Sequence, residues 1–542
     1  MDLLTRGAAL LAEGDWQAAK DTLGQAGDAP EALSGLGEAL FWLGDIPRAL
    51  ALRERAYVAF REGGNKSSAA RMALWLATEH TVFGNDAVGN GWLGRADRLI
   101  GELGACVERG WLLLCHSRRS PDPKAAEPLA REALELAQTL GDRELEIAAI
   151  SQRGRSLLAT GQTQQGFACL DEAMAAATSG EIRSPNTITN TCCDMIGACE
   201  RTMELERATQ WCQVTDEYAR RYTFLPLFAF CRATYAGVLL AVGRWTDADR
   251  ELCEALRAYQ ASLPSQSSLA LARLAELRLL QGRDAEAEAL LAKDLHSPVA
   301  TKAVAMLYLA RGDAPQAARL LATRLAVVQN DVLVAAPLLL LLVEAHLAGR
   351  NIAAAARAVA PLDAIAATTR RAAFVASAAY ASGLVRRAKH DRSAAAAFEV
   401  AIDAYASAGM LLPGARARLA LARCLAADDP RAAKELCRTA VAILAELGAQ
   451  RDLDANADLR RRLGVGARIG PRMSGKLTRR EEEVLPLLAL GLTNAKIGAR
   501  LFISPKTVEH HVGHILEKLG LETRAAAAAH AARTPPKKPA TK

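Results

Sequence analysis

A short phrase recurs along most of this chain: a glycine followed five residues later by an alanine. It stands at Gly14/Ala19, Gly44/Ala49, Gly91/Ala96, Gly243/Ala248, Gly282/Ala287, Gly312/Ala317 and Gly349/Ala354. An apolar stretch with helical spacing precedes the glycine, as in Ala236–Val242, and an amphipathic stretch begins at the alanine, as in Ala248–Leu256. Glycine tolerates the left-handed backbone of a tight turn, and alanine lets one helix cross another closely. The phrase therefore predicts helix–turn–helix hairpins. Each hairpin can bury its apolar face only against its neighbours, so the body is expected to be a stacked helical array.

This spacing resembles the tetratricopeptide repeat, whose period is about 34 residues. The wide gap between Gly91 and Gly243 has room for degenerate copies, and Gly161 fills one slot with Gly166 in place of the alanine. A generic α-solenoid has the same consequence as the tetratricopeptide reading. Residues 1–459 are read as this repeat region, with an extended groove suited to a peptide, protein or small-molecule effector.

Several function classes fit poorly. Aromatic residues make up 5% of the chain, and the abundance of alanine and leucine favours helix over strand. The opening Met1–Arg6 lacks a basic segment followed by an apolar block, so no secretory leader is expected. The apolar run Val332–Val343 is too short to span a bilayer, so no membrane partner is expected and the cytoplasm is the expected compartment. The 11 cysteines include no C-x-x-C pair and read as reduced core thiols. The string Gly63-Gly64-Asn65-Lys66-Ser67-Ser68 lacks the spacing of a phosphate-binding loop and reads as an inter-helix turn. No hydrolase or metalloprotease motif stands out, and neither an enzyme nor a cofactor is expected.

The net charge of +7 is unevenly placed. From Pro471 onward there are 13 basic and 6 acidic residues, which leaves 54 of each in residues 1–470. A neutral body carrying a basic end points to a polyanion as the partner of that end. Arg460–Lys476, rich in Gly and Arg, reads as a linker, and Arg533–Lys542 as a disordered basic tail.

Between them the helix signals are sharp. Thr478 and Glu481 form a capping box for a helix over about 479–490 that closes at Gly491. A second helix runs from about Asn494 to Leu501, capped by Thr493 or Asn494. Ser504-Pro505 then opens a third, since serine is a strong cap and proline fits the first helical position. Val508, Val512, Ile515 and Leu519 fall on one stripe of that helix and read as core. The opposite face presents Lys506, His510, Gly513 and Glu517, flanked by Thr507, Glu509 and His514. Two short helices with a tight break read as a helix-turn-helix, and the outward face suits the major groove.

The run Leu477-Thr478-Arg479-Arg480-Glu481, with Glu483-Val484-Leu485, Gly491-Leu492-Thr493-Asn494, Leu501-Phe502-Ile503-Ser504, Thr507-Val508 and Ile515-x-x-Lys518-Leu519, resembles the LuxR-type DNA-binding domain. The resemblance covers 477–532 and implies four helices. The third would read operator DNA, and the last, Thr523 to Ala532, would pair two domains into a homodimer. The DNA-facing set would be Thr493, Asn494, Lys496, Ser504, Lys506, Thr507, Glu509, His510, Gly513 and His514. The pairing set would be Thr523, Ala525, Ala526 and Ala529. Glu509 suits a cytosine amino group or a solvated flank equally. His511 reads as structural, and His510 with His514 as DNA or solvent contacts rather than metal ligands. The expected fold is all-α: a tetratricopeptide-like α-solenoid followed by a four-helix LuxR-type domain. The arrangement resembles large LuxR-type regulators whose repeats sense an inducer or protein, without the NTPase module those often carry. It implies a transcription regulator associated with the nucleoid, with RNA polymerase a further candidate partner. The rival reading is a repeat-type adaptor with weak or auxiliary DNA binding.

Overall fold

The computed structural model describes residues 2–465 except 222–224, 262–263, 293, 296 and 329, and residues 479–533 except 490–491, 502–504, 520 and 522. Among the described residues every regular element is a helix. Two compact units divide the chain at Val465/Gly466.

The first unit is a succession of hairpins. It opens with α1 (Leu3–Glu13) and α2 (Trp16–Leu23), α3 (Pro30–Trp42) and α4 (Ile46–Glu62), and α5 (Lys66–Val82) and α6 (Asp86–Gly101). Next come α7 (Val107–Arg119) and α8 (Pro123–Leu140), α9 (Arg143–Ala159) and α10 (Thr163–Ser179), and α11 (Pro185–Thr202) and α12 (Leu205–Arg221). The pairs α13 (Leu225–Val242) and α14 (Trp245–Ala261), α15 (Ser268–Leu280) and α16 (Asp284–Leu291), and α17 (Thr301–Ala310) and α18 (Ala314–Val328) follow. The last pairs are α19 (Val332–Ala348) and α20 (Ile352–Thr369), α21 (Ala372–Ala388) and α22 (Ala394–Ser407), and α23 (Leu411–Leu425) and α24 (Pro430–Leu447). Two short helices, α25 (Gln450–Ala455) and α26 (Ala457–Arg462), close the unit. The hairpins are tetratricopeptide-like in plan but uneven in length: α9–α10, from Arg143 to Ser179, is longer than a unit of about 34 residues, whereas α1–α2, α15–α16 and α17–α18 are shorter.

The turns explain the recurring phrase. Gly14, Gly44, Gly243, Gly282 and Gly312 all adopt positive φ, between 78° and 90°. The alanine five residues on is fully buried in each case: Ala19, Ala49, Ala248, Ala287 and Ala317. Two positions depart from expectation. Gly91 lies inside α6, and the turn belongs to Gly84, with the buried Gly89 in the small-residue slot. At Gly349 the left-handed residue is Arg350, and the buried partner is Ala355. Gly161/Gly166 is a true copy: a β-carbon at Gly166 would come within 2.5 Å of Leu158 Cγ and 2.9 Å of the Gly154 carbonyl, so α9 and α10 approach too closely for alanine. The tryptophans after the turns are buried anchors, and Trp245 Nε1 donates to the Leu240 carbonyl at 3.1 Å.

The phosphate-loop-like string is a turn of the same kind. Gly64 takes φ 74°, Asn65 accepts from the Ser68 amide at 3.0 Å, and Lys66 pairs with Glu102 at 2.7 Å. The boundary moves relative to the expected linker. Arg460–Arg462 belong to α26, and Leu459 and Val465 are buried in the repeat core, because that stretch still has an apolar face to cover.

The array coils tightly enough for helices ten apart to meet. α9 packs on α19, α13 on α23 and α15 on α25. Gln266 donates to the Val82 carbonyl at 2.5 Å, Asn330 to Asp122 at 2.9 Å, and Arg451 Nε to the Leu279 carbonyl at 2.8 Å. The first helices of successive hairpins, from α11 to α23, face the axis of this coil and surround a cavity of about 470 Å³. Nearer the N-terminus, Arg53 is 1% exposed, its Nε 3.0 Å from Glu79 Oε1 and its guanidinium over the Trp75 ring.

Candidate nucleic-acid interface

The second unit is built from α27 (Arg479–Ala489), α28 (Asn494–Leu501), α29 (Pro505–Leu519) and α30 (Arg524–Arg533). Its core joins Val484, Leu487 and Leu488 of α27 to Ile497 of α28, Val508, Val512 and Ile515 of α29, and Ala527 of α30. Three members of the expected stripe on the third helix are thus buried, and the Leu519 side chain lies outside the described residues. Thr493 caps α28: its Oγ1 accepts from the Lys496 amide at 3.4 Å and its carbonyl from the Ile497 amide at 2.9 Å. Pro505 holds the first position of α29. Glu481 is buried, while Thr478, its expected capping partner, and Gly491 lie outside the described residues.

Arg524 is the residue that sequence reasoning missed. Its guanidinium donates to Asn494 Oδ1 and to the Leu492 carbonyl, both at 2.6 Å, and so ties α30 to the start of α28. The signal was present: a cation in the first turn of a helix opposes the helix dipole and calls for a compensating partner. Asn494, expected at the DNA, therefore has its side-chain oxygen committed within the domain and is half-buried.

The remaining expected contacts separate by exposure. Thr493, Lys496, Glu509, Gly513 and His514 are exposed. Glu509 and Gly513 lie one helical turn apart on α29, and a β-carbon at Gly513 would meet nothing within 4 Å. His514 Nδ1 is 3.9 Å from Glu481 Oε1, and His511 is half-buried. Ser504 and the side chains of Lys506, Thr507 and His510 lie outside the described residues. In the expected pairing set, Thr523 caps α30 by accepting from the Ala526 amide at 3.1 Å, and Ala526 is half-buried. The side chains of Ala525 and Ala529 lie outside the described residues, as does the tail from residue 534.

Residues 475–531 match the family described as bacterial regulatory proteins, luxR family. The C-terminal unit is a LuxR-family helix-turn-helix domain. Similar relatives include the oxygen regulatory protein NreC of Staphylococcus aureus strains JH9 and USA300, each 52% identical over 48 residues. The likeness takes in 9% of this chain and spans 22% of the relatives' own length, about a single LuxR-family domain. Among solved structures, the APC/C hetero-tetramer Cut9–Hcn1 is similar at a TM-score of 0.43 and 14% identity, covering 83% of this chain and 94% of that one. Yeast Tom70 is similar at 0.35 and 12%, covering 80% and 98%. The repeat architecture itself rests on the hairpins described above.

Proposed function

We propose that this chain is a sequence-specific DNA-binding transcription regulator whose repeat body senses an effector or a protein partner. The observation that carries the reading is α29 of the LuxR-family domain, which buries Val508, Val512 and Ile515 and leaves Glu509, Gly513 and His514 exposed on a unit with excess positive charge. Gly513 adds support. A mid-helix glycine costs about 1 kcal/mol against alanine, and no packing contact requires it here. A small residue on an exposed helix face admits close approach of a nucleic-acid backbone or base edge to α29.

Lys506 and Lys496 supply phosphate contacts in this reading, and His510 reads a base. α30 pairs two domains through Ala525, Ala526 and Ala529, with Thr523 serving first as its cap. The body of residues 1–465 acts on the DNA domain by binding an effector better in one arrangement than in another, since a ligand can shift an equilibrium only by its differential affinity. Nucleoid association and contact with RNA polymerase follow from the regulator role.

Crosslinking the chain to its genome and sequencing the bound fragments tests this. The expected result is a small set of sites sharing one inverted-repeat motif, bound by the purified protein with affinity that falls steeply with salt. Fragments with no shared motif would favour the adaptor reading.

A further inference from the structure

The cavity on the axis of the repeat coil has a definite chemical character. Its walls are mainly aliphatic and aromatic, from Leu240, Leu280, Met306, Leu340, Phe374 and Leu412 among others. Among the described residues five cations line it, and each already has a carboxylate. Arg273 bonds Glu200 and, at 3.0 Å, Glu276, whose other oxygen takes Lys302 at 2.8 Å. Arg416 grips Asp452 with two bonds of 2.7 and 2.9 Å. Arg451 pairs with Asp284, and Arg201 lies 3.8 Å from Asp331. The hydroxyls are also engaged: Ser377 donates to the Ala373 carbonyl at 2.9 Å and accepts from Tyr405 at 3.4 Å.

Glu344 is the exception. It sits on α19 in register with Leu333, Pro337, Leu340 and Leu341, so the helix face that builds one wall carries it to the cavity. Its carboxylate makes no hydrogen bond or ion pair among the described residues. The cation that acts on it, Arg416, is committed to Asp452, whose own charge repels it, and burial pushes the Glu344 carboxyl above its ordinary range. A lining in which every positive charge is matched and one negative charge is not selects a ligand with one positive charge.

We propose that this cavity binds an amphipathic monocation, an ammonium carried on an apolar body, with Glu344 receiving the charge. The volume falls within the range of about 300–1,000 Å³ typical of small-molecule sites. Phe374 and Tyr405 offer aromatic surface to a cation or to the apolar body. An anion would find every guanidinium and ammonium taken. A sugar or an extended peptide would find too few free donors and acceptors to replace its hydration, and burying such groups unpaired is costly. This assignment rests on the reading of the repeat body as a sensor, and it names the class of effector.

The test uses the full chain and three matched probes: 4-phenylbutylamine, the neutral 4-phenylbutanol and the anionic 4-phenylbutyrate, titrated by calorimetry at neutral pH. The amine is expected to bind at least about tenfold more tightly than the alcohol, with no measurable binding of the carboxylate. In Glu344→Gln the preference for amine over alcohol should vanish, and in Leu340→Trp, which fills the cavity, both should lose binding. An amine that binds no better than the alcohol in the unmodified protein overturns the proposal without reference to any variant. So does an amine preference that survives in a folded Glu344→Gln protein. Operator affinity, measured with and without the amine, separates the two readings: binding that depends on Glu344 with unchanged operator affinity upholds the cavity assignment and removes the sensor role.

Discussion

In residues 1–470 the 54 basic and 54 acidic side chains balance, and many pair inside the array, as Arg118 does with Asp194 and Arg416 with Asp452. From Pro471 onward 13 basic residues face 6 acidic ones, and Lys496 stands exposed at the head of α28. The repeat unit spends its charge on shape, fastening hairpins that lie far apart in sequence. Among the described side chains of the LuxR-family domain, Lys496 and Arg500 are exposed. Net charge along the chain therefore marks where a polyanion can bind, whereas pairing marks where the fold is held.

The largest expected effect tests whether the coil of the repeat unit, absent from the small domain, carries its stability. Gly243 has φ 90°, and a β-carbon there would lie 2.7 Å from Leu447 Cδ2 and 3.1 Å from Leu411 Cδ1. Gly243→Val should cost about 2–5 kcal/mol in denaturant unfolding of the body, from left-handed strain plus overpacking. In the full-length variant the C-terminal domain should keep its own melting transition unchanged, because that domain has a core of its own. A loss below about 1 kcal/mol would mean that the turn is free of the coil above it.

Next is the buried charge near the N-terminus. Burial pushes the Glu79 carboxyl up to about 7, against an ordinary value of 4.5, and also raises Glu38, with the single Arg53 opposing both shifts. Between those pH values the folded body holds a proton that the unfolded chain has released. The contribution of this proton to stability should therefore be fully present below pH 4.5 and be lost as pH rises toward 7, by on the order of 2–3 kcal/mol. Glu79→Gln should flatten that part of the melting-temperature profile. If the slope is unchanged in the variant, Glu79 does not carry the proton.

In the small domain the corresponding fastening is Arg524. Arg524→Ala should destabilise fragment 466–542 by about 1.5–3 kcal/mol in thermal melts, since both bonds are charge-assisted. Gly513→Ala should do the reverse, stabilising the domain by about 0.5–1 kcal/mol while weakening operator binding. Tighter binding in that variant would remove the close-approach argument. The smallest effects distinguish positioning from reading. Lys506→Ala should weaken binding alike on all sequences and lower the salt slope by about one, and His510→Ala should relax preference at one base position. Unchanged binding in both variants, with helicity intact, would move the DNA contact off this face.

How far the sequence was legible follows the same division. In the small domain a cap at Thr493, a proline at 505 and a stripe from Val508 to Ile515 are local signals, and local signals nearly complete its fold. The bond that Asn494 accepts was not legible because its partner, Arg524, lies thirty residues on. In the repeat unit the glycine–alanine phrase located turns at Gly14, Gly44, Gly243, Gly282 and Gly312, but alanine is common enough to complete the phrase by chance at Gly91. A further signal is the left-handed residue followed at once by Asp or Asn, as in Gly14-Asp15 and Arg350-Asn351, where the side chain caps the next helix. The cavity left no such trace. Its lining runs from Glu200 to Arg451, brought together by a coil that no window of sequence contains.

That coil changes how the body responds to heat, force or a ligand. An open array is close to one-dimensional: each hairpin answers to two neighbours, and ends can fray while the middle stands. Here α9 also answers to α19, α13 to α23 and α15 to α25, so loosening one hairpin removes support from another some two hundred residues away. The expected behaviour is a single cooperative melt in place of progressive unravelling. Folding should be slow for a helical protein, since those distant contacts form only after long loops close.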